Sequence, residues 1–453
     1  MASKTQFNII DASVIFSRVD GSEVEVDIRN NVIEFQTFEH LQKPYIDARI
    51  VFLDDFGMKD TLSVQGTERL RITIGDLDEP EQVSFTKFFF FSKINEVRKA
   101  NERSEIISLE LVEEHVFVNA VKQISRSFTS NIENMIETIV TNELGRSVTK
   151  YKFEGTAQGI RKVIIPYLSP LEAVNWIKDR ATTRTGSPIY LHASLFSNSL
   201  RLSDLDSLLK EPSFNEKFPL RYTQAASSVD DKDDELKSYY NIISYRESNV
   251  DNMMQLYEEG AIGSYYANID AGTGISSGAH ITIRDIIDEF YTNGLISPDV
   301  AQTVYDPSLL IDGKLSDEYN SLSVFQVTSS GTYNQFKSYH DEAVLLNEYN
   351  DLIESKLKIT NKIIRNILKK NVIDIGVDGR LFLESEASPG NKVRVIFLNS
   401  NTSNDEKEDA SQIDKRKSGD YLILAINHRF NENKHLSSLR LTKIGELPKD
   451  YGV

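Results

Sequence analysis

The sequence contains no cysteine in 453 residues. Disulfides, thiolate zinc sites, iron–sulfur clusters and a cysteine nucleophile are therefore excluded together. It also lacks any apolar run near the ~18 residues that a spanning helix needs, so no membrane insertion is expected. Met1 to Phe7 carries Lys4 but no apolar core behind it, unlike a secretory signal. The chain is expected to be made and kept in a cytoplasm until something releases it. An excess of positive charge is missing too. Lys and Arg number 51 against 68 Asp and Glu, a net charge of −17. Affinity for phosphate comes from clustered Lys and Arg, so no specific nucleic-acid binding is expected. The acidic balance serves solubility first, and is compatible with a surface that DNA slides past.

What is present is globular: 40% hydrophobic and 26% charged residues leave little room for long disorder. The length suggests roughly three or four domains. Ser13 to Ser17, Val24 to Ile28, Val32 to Phe38, Ala48 to Leu53 and Leu70 to Ile74 alternate or cluster β-branched and aromatic residues. Asp20-Gly21 and Asn30-Asn31 supply turns, so these segments read as short antiparallel strands. Phe88-Phe89-Phe90-Phe91 is too apolar for a strand with one wet face; burial on both sides, or against a partner chain, is expected. After the polar turn Lys99 to Glu102, Ile106 to Val112 returns onto it. Such strands describe a small barrel or sandwich.

The period then becomes helical. Ile132, Met135, Ile136, Ile139, Val140 and Leu144 share a face, with Ser130 and Glu133 as a capping box and Gly145 as the stop. Ser169-Pro170-Leu171-Glu172 signals a second helix burying Leu171, Val174, Trp176 and Ile177. Strand character returns at Pro188 to Leu195 and Leu200 to Leu202. Ser227 to Lys237 reads as an acidic linker, and the tyrosine-rich stretch to Tyr339 has no clear period. Leu346, Tyr349, Ile353, Leu357, Ile364 and Leu368 then form one stripe of a long helix. Arg380 to Ile444 is again strands, broken by the polar and mobile loop Asn399 to Gly419.

The first and last β regions repeat one another. Leu70-Arg71-Ile72, Phe88 to Asn95 and Ile107-Ser108-Leu109 match Val393-Arg394-Val395, Tyr421 to Asn427 and Leu439-Arg440-Leu441. Ile94-Asn95 aligns with Ile426-Asn427, and the spacing onward to the returning strand is ungapped.

No motif carries a chemistry. Gly272 to Gly278 is glycine-rich but is followed by Ala279-His280 where a phosphate loop needs Lys-Ser/Thr, so it reads as a flexible loop. His428 and His435 can face one another across the last hairpin, but two imidazoles are an incomplete metal site, and surface or interface positions are expected. There is no Gly-x-Ser-x-Gly and no His-Glu-x-x-His. Asn401-Thr402-Ser403 is a sequon without a secretory context. No catalytic, cofactor-binding or metal-ligating residue is assigned, no cofactor is expected, and the chain is not expected to be an enzyme.

Ser169 to Ile177, Arg180-Ala181, Gly186-Ser187-Pro188-Ile189-Tyr190, Leu202 to Leu209, Ile242 to Gly260 and the hairpin Ser418 to Leu441 together resemble the baseplate hub proteins of contractile-tailed phages. The family extends to the spike proteins of type VI secretion. The resemblance implies an α+β, mainly β fold, with two tail-tube-like antiparallel β-barrels in one chain, a small α/β domain and a helical insertion. It places the first barrel at 1–122, the α/β domain at 123–185, the second, discontinuous barrel at 186–222 and 375–447, and the insertion at 223–374 with its long helix near 340–371. It implies a homotrimer whose six barrels continue a sixfold tube while the other face seats a threefold spike. The implied partners are a central spike protein, a tail-tube or tube-initiator protein, surrounding baseplate wedge proteins and a tape-measure protein in the lumen. The implied setting is a virion tail assembled in the host cytoplasm. Two other readings stay open here. One is the spike hub of a bacterial type VI or extracellular injection system, whose chains commonly continue into an OB domain and β-helix, whereas this chain ends at Val453. The other is a cell-wall hydrolase or glycan-binding tail protein.

Overall fold

Alternation of apolar and polar residues makes strands with one dry face, and this chain is built mostly of such strands. The computed structural model describes residues 7–17, 22–55, 57, 68–76, 83–102, 104–157, 159–179, 181–222, 239–248, 253–258, 260, 262–270, 276–293, 310–319, 322–328, 360–361, 363–365, 368, 372–398, 413–431 and 434–447. They form a mainly antiparallel β structure with a few helices.

The first region holds β1 (Phe7–Ser17), β2 (Glu23–Asp27), β3 (Val32–His40), β4 (Asp47–Asp54), β5 (Arg69–Asp76), β6 (Val83–Lys99) and β7 (Glu105–Val112). In β4, Ala48, Ile50 and Phe52 point inward while Arg49, Val51 and Leu53 stay half-buried. Next come β8 (Ser127–Ser130), β9 (Val148–Lys150), β10 (Arg161–Ile164), β11 (Ile189–His192), β12 (Leu200–Asp204) and β13 (Leu220–Tyr222), with helices at Ile132–Leu144, Pro170–Lys178 and Leu205–Lys210. β14 (Ile242–Ser248) is followed by β15 (Gly263–Asp270), β16 (Ser276–Thr282), β17 (Leu310–Ile311), β18 (Lys314–Leu315) and β19 (Leu322–Thr328). The last region holds β20 (Val372–Asp378), β21 (Lys392–Phe397), β22 (Gly419–Asn431) and β23 (Lys434–Gly445).

One sheet of 13 strands runs β14-β20-β23-β22-β3-β4-β7-β6-β5-β1-β2, with β21 also on β22 and β13 on β21. Within it, the antiparallel series β3-β4-β7-β6-β5 is repeated as β14-β20-β23-β22-β21. The irregularities repeat as well. A bulge interrupts β6 between Phe91 and Lys93, and β22 between Ile423 and Ala425, at the matching step of each ladder. A second interrupts β3 between Val32 and Glu34, and β14 between Ile242 and Ser244. Bulges bend a strand at a chosen residue, and two unrelated hairpins have no reason to share two of them. The returning strand departs from the ungapped alignment: Ile94 pairs with Leu109 whereas Ile426 pairs with Leu439, so the counterpart of Leu439 is Leu109 and not Ile107. β6 ends at Lys99 and β7 begins at Glu105, whereas β22 ends at Asn431 and β23 begins at Lys434, and a shift of two keeps every side chain on its face.

In the second series Arg221 bridges to Asn241, its N–H donating to the Tyr240 carbonyl at 2.9 Å, so β13 returns beside β14. Each series has its own core. Ile50, Phe89 and Leu109 belong to one; Ile375, Val395, Ile423 and Leu441 belong to the other. Phe35 lies between Phe89 and Phe430, with ring centroids 6.1 and 6.2 Å away, and so ties the two together. Burying each such ring contributes about 2–3 kcal/mol.

The helix Ile132–Leu144 buries the stripe its sequence marks and ends at Gly145 in the left-handed region, φ 67°. Its start differs from expectation. Ser130 is consumed by β8, Asn131 is the cap, and Glu133 accepts from Thr156 N at 2.9 Å and Thr156 Oγ1 at 3.0 Å, so the carboxylate binds a neighbouring segment in preference to its own helix end. At Pro170–Lys178 the expected capping box of Ser169 and Glu172 is present. The Phe run is not buried on both sides: Phe89 and Phe91 face the core, while Phe88 is 47% exposed. Strand alternation outweighs composition there. The glycine-rich stretch is in part a strand, since Ser276 to Thr282 pairs with β15. Most of the long helix lies outside the described residues, as do Asp20-Gly21, the linker Ser227 to Lys237 and the sequon at Asn401.

Candidate functional site: a buried seam and two strand edges

The strand β22 has both edges occupied along Ala425 to Asn431. β23 lies on one side and β3 on the other, with Ala425 opposite His40 and Asn431 opposite Glu34. This seam joins the two series into one sheet, and its inward layer is polar. Positions 35, 37, 39 and 41 of the first series face inward, which puts Glu39 in the core at 1% exposure. Its Oε2 accepts from Leu195 N at 3.0 Å, and its Oε1 lies 3.8 Å from His428 Nε2. His428 Nδ1 is 2.8 Å from Ser437 Oγ and 3.1 Å from His435 Nε2. His435 in turn stacks on Phe430, centroids 4.2 Å apart.

His428 and His435 do meet across the hairpin, but they are not surface residues: they are 0% and 7% exposed. A strand with partners on both sides has no exposed edge, and their inward phase then buries them. Burial pushes Glu39 up to about 8, because a carboxylate there is stripped of water. The same desolvation holds His428 down at about 3 and His435 well below the ordinary range. At neutral pH the layer is therefore uncharged, and a protonated Glu39 faces an imidazole nitrogen free to accept. Ser437, His428 and Glu39 stand in the order of a hydrolytic triad, yet Ser437 and His428 are 0% exposed, which closes them to any substrate. Among the described residues no group of three His, Asp or Glu side chains could hold a metal ion.

Further polar contacts fix the middle region to the first series. Lys87 Nζ donates to the Ser194 and Ser197 carbonyls at 3.2 and 2.7 Å. Glu113 accepts from Ile46 N at 2.8 Å and from Arg146 Nη2 at 3.0 Å. A polar cavity of about 380 Å³ lies beside Thr156, Thr185, Asp204, Asp206 and Lys210. Its carboxylates are engaged: Asp206 accepts from Thr185 Oγ1 at 2.6 Å and from Ser187 Oγ, and Asp204 caps the helix Leu205–Lys210 at Ser207 N, 2.8 Å.

Two strand edges differ from the seam. Among the described residues, β6 beyond Phe91 pairs with β7 alone, and β14 pairs along its length with β20 alone. Ser92 to Glu96 are all exposed, Ile94 at 40%, and Ile243 on β14 is 59% exposed. In the basic run Lys415-Arg416-Lys417, Lys415 and Arg416 are exposed, whereas Lys417 is half-buried, 3.5 Å from Glu247 and over the Tyr245 ring at 5.3 Å. The loop before it is anchored from Ile413, which bridges to Leu398, and Asp414 N donates to the Phe397 carbonyl at 2.9 Å. Sequence reading missed Glu39 and the seam. The available signal was an acid in phase with Phe35 and Leu41, which mark the inward face of the strand.

No family model matches the chain, and no curated protein matches it in sequence. Among solved structures it is similar to a tail protein from Neisseria meningitidis MC58, at 13% identity and a TM-score of 0.49, over 97% of each chain. It is similar also to the 43 kDa tail protein of prophage MuSo2 from Shewanella oneidensis, at 10% identity and a TM-score of 0.48, over 96% of this chain and 98% of that one. A third is the E. coli c3393 protein, a component of the type VI secretion system, at 10% identity and a TM-score of 0.40, over 91% of this chain and 73% of that one.

Proposed function

We propose that the chain is a structural hub of a contractile phage tail baseplate. It adapts a sixfold tail tube to a threefold central spike and forms part of the path for DNA delivery. The observation that carries this reading is the duplicated strand series, with its two shared bulges and the seam that joins the copies side by side. Two like units per chain give six around a threefold axis, so one protein can meet a sixfold ring on one face and a threefold body on the other. In this reading 1–122 is the first tube-like barrel, 186–222 with 375–447 the second, 123–185 a small α/β domain, and 223–374 an insertion. The bridge that brings β13 beside β14 supports closure of the second barrel. Tube or initiator protein binds the sixfold face, spike the threefold face and wedge proteins the rim, with tape-measure protein in the lumen. The role is architectural, without a reaction.

Electron cryomicroscopy of the purified chain, alone and with a spike protein encoded beside it, tests the reading. A threefold ring of six barrels with the spike on one face is expected. Only dimers or hexamers under both conditions overturn it.

A further inference from the structure

The seam shows what the two open edges are for. In the second series, β22 gives its outer edge to β3 of the first. The counterpart of β22 is β6, and the counterpart of β3 is β14, by strand order and by shared bulges. Among the described residues, β6 beyond Phe91 is paired only with β7, and β14 only with β20, so neither has a strand where the seam would place one. We infer that the β6 edge of one copy pairs antiparallel with the β14 edge of the next, repeating the β22–β3 seam between chains. The partner is thus a second copy of this chain. The inference rests on the ring reading above and supplies the surface that closes it.

The contact is heterologous: β6 and β14 are different surfaces, so each copy offers one and receives the other. Such contacts continue until a rotation closes them, and the rotation is already set by the seam inside the chain. A ring therefore alternates one intrachain seam with one interchain seam. It also removes the unpaired N–H and C=O groups that make open edges hazardous.

The ladder predicts the register. Within the chain, Asn427 lies opposite Phe38, His428 opposite Thr37, Arg429 opposite Gln36 and Phe430 opposite Phe35. Carried to the counterparts, Glu96 lies opposite Ser248, Val97 opposite Glu247, Arg98 opposite Arg246 and Lys99 opposite Tyr245. This assignment follows the β7 ladder, in which a further bulge lies between Ile94 and Glu96. Lys99 then stands diagonal to Glu247, and Glu96, which already binds Arg98 at 2.7 Å, stands diagonal to Arg246. Diagonal neighbours are within reach of long side chains, so Glu96 sits between the two guanidinium groups.

The absence of native cysteine makes the test clean. The variant R98C/R246C places two thiols opposite one another only across the inferred seam, and paired strands bring Cα atoms within disulfide range. The variant Q36C/R429C is the intrachain equivalent, and its rapid oxidation confirms that a thiol pair at this ladder position can close. Light scattering on the full-length chain, with mild oxidation and denaturing electrophoresis, then reads both levels. A covalent trimer from R98C/R246C is expected, with none from either single variant and a covalent heterodimer from the two singles mixed. A trimer by light scattering that fails to cross-link, while Q36C/R429C closes, overturns the edge pairing and leaves the ring standing. A chain that stays monomeric with and without the spike overturns both.

Discussion

The Glu39→Gln variant isolates the buried layer of the seam. A group whose folded-state pKa is raised holds its proton better in the folded chain than in the unfolded one. Folded stability therefore falls as pH rises from the ordinary carboxylate value towards the raised one. Glu39 moves from 4.5 to about 8. At about 1.4 kcal/mol per unit, deprotonating it between pH 5 and 8 weakens the fold by about 4 kcal/mol. Glutamine has the same shape and no titration. Its carbonyl can accept from Leu195 N, and its NH₂ takes the place of Oε1 facing His428 Nε2. The assay is urea unfolding of both proteins from pH 5 to 8, reported as variant minus wild type so that the other titrating groups cancel. The variant should gain steadily on the wild type, by about 4 kcal/mol at pH 8 relative to pH 5. A difference that stays flat refutes a neutral Glu39 and means that the seam carries a charge balanced some other way.

At the acid end the sign reverses. His428, held at about 3, and His435 bind protons better in the unfolded chain, so stability falls as pH drops below the ordinary histidine value; acid titration followed by circular dichroism should show that loss, and H428N should reduce it. Gly419→Ala should destabilise by about 3 kcal/mol, because φ is 148° and a methyl group would overlap the Gly445 carbonyl; Gly145→Ala, with open space at φ 67°, should cost about 1 kcal/mol, both read by thermal unfolding. Replacing Asn401 to Ser411 by a short Gly/Ser link should change stability on the order of 1 kcal/mol, whereas a cut that also removes Ile413 and Asp414 should lower the melting temperature clearly, since both contact β21 and its continuation. In the assembled ring the inner wall should be neutral or acidic, with Lys415 and Arg416 facing outward; a cryomicroscopy map with a continuous basic inner stripe contradicts this.

Much of the architecture was readable before any coordinates. Period-two segments became strands, the Ser169–Glu172 cap became a capping box, and Gly145 ended its helix, because each depends on contacts within a few residues. The matching of Ile94 with Ile426 was also visible, since a duplicated ladder keeps its alternation. The sequence alone determined the kind of element at these places and the presence of a repeat. It did not determine which strand lies beside which. That β22 takes β3 as its second neighbour is a choice between residues nearly four hundred positions apart. It takes His428 from an edge into the core, makes Glu39 a neutral acid, and leaves β14, and β6 beyond Phe91, each with one partner among the described residues. Hydrophobic period reports which way a side chain points; only tertiary pairing decides whether that direction meets water, another strand or the next molecule.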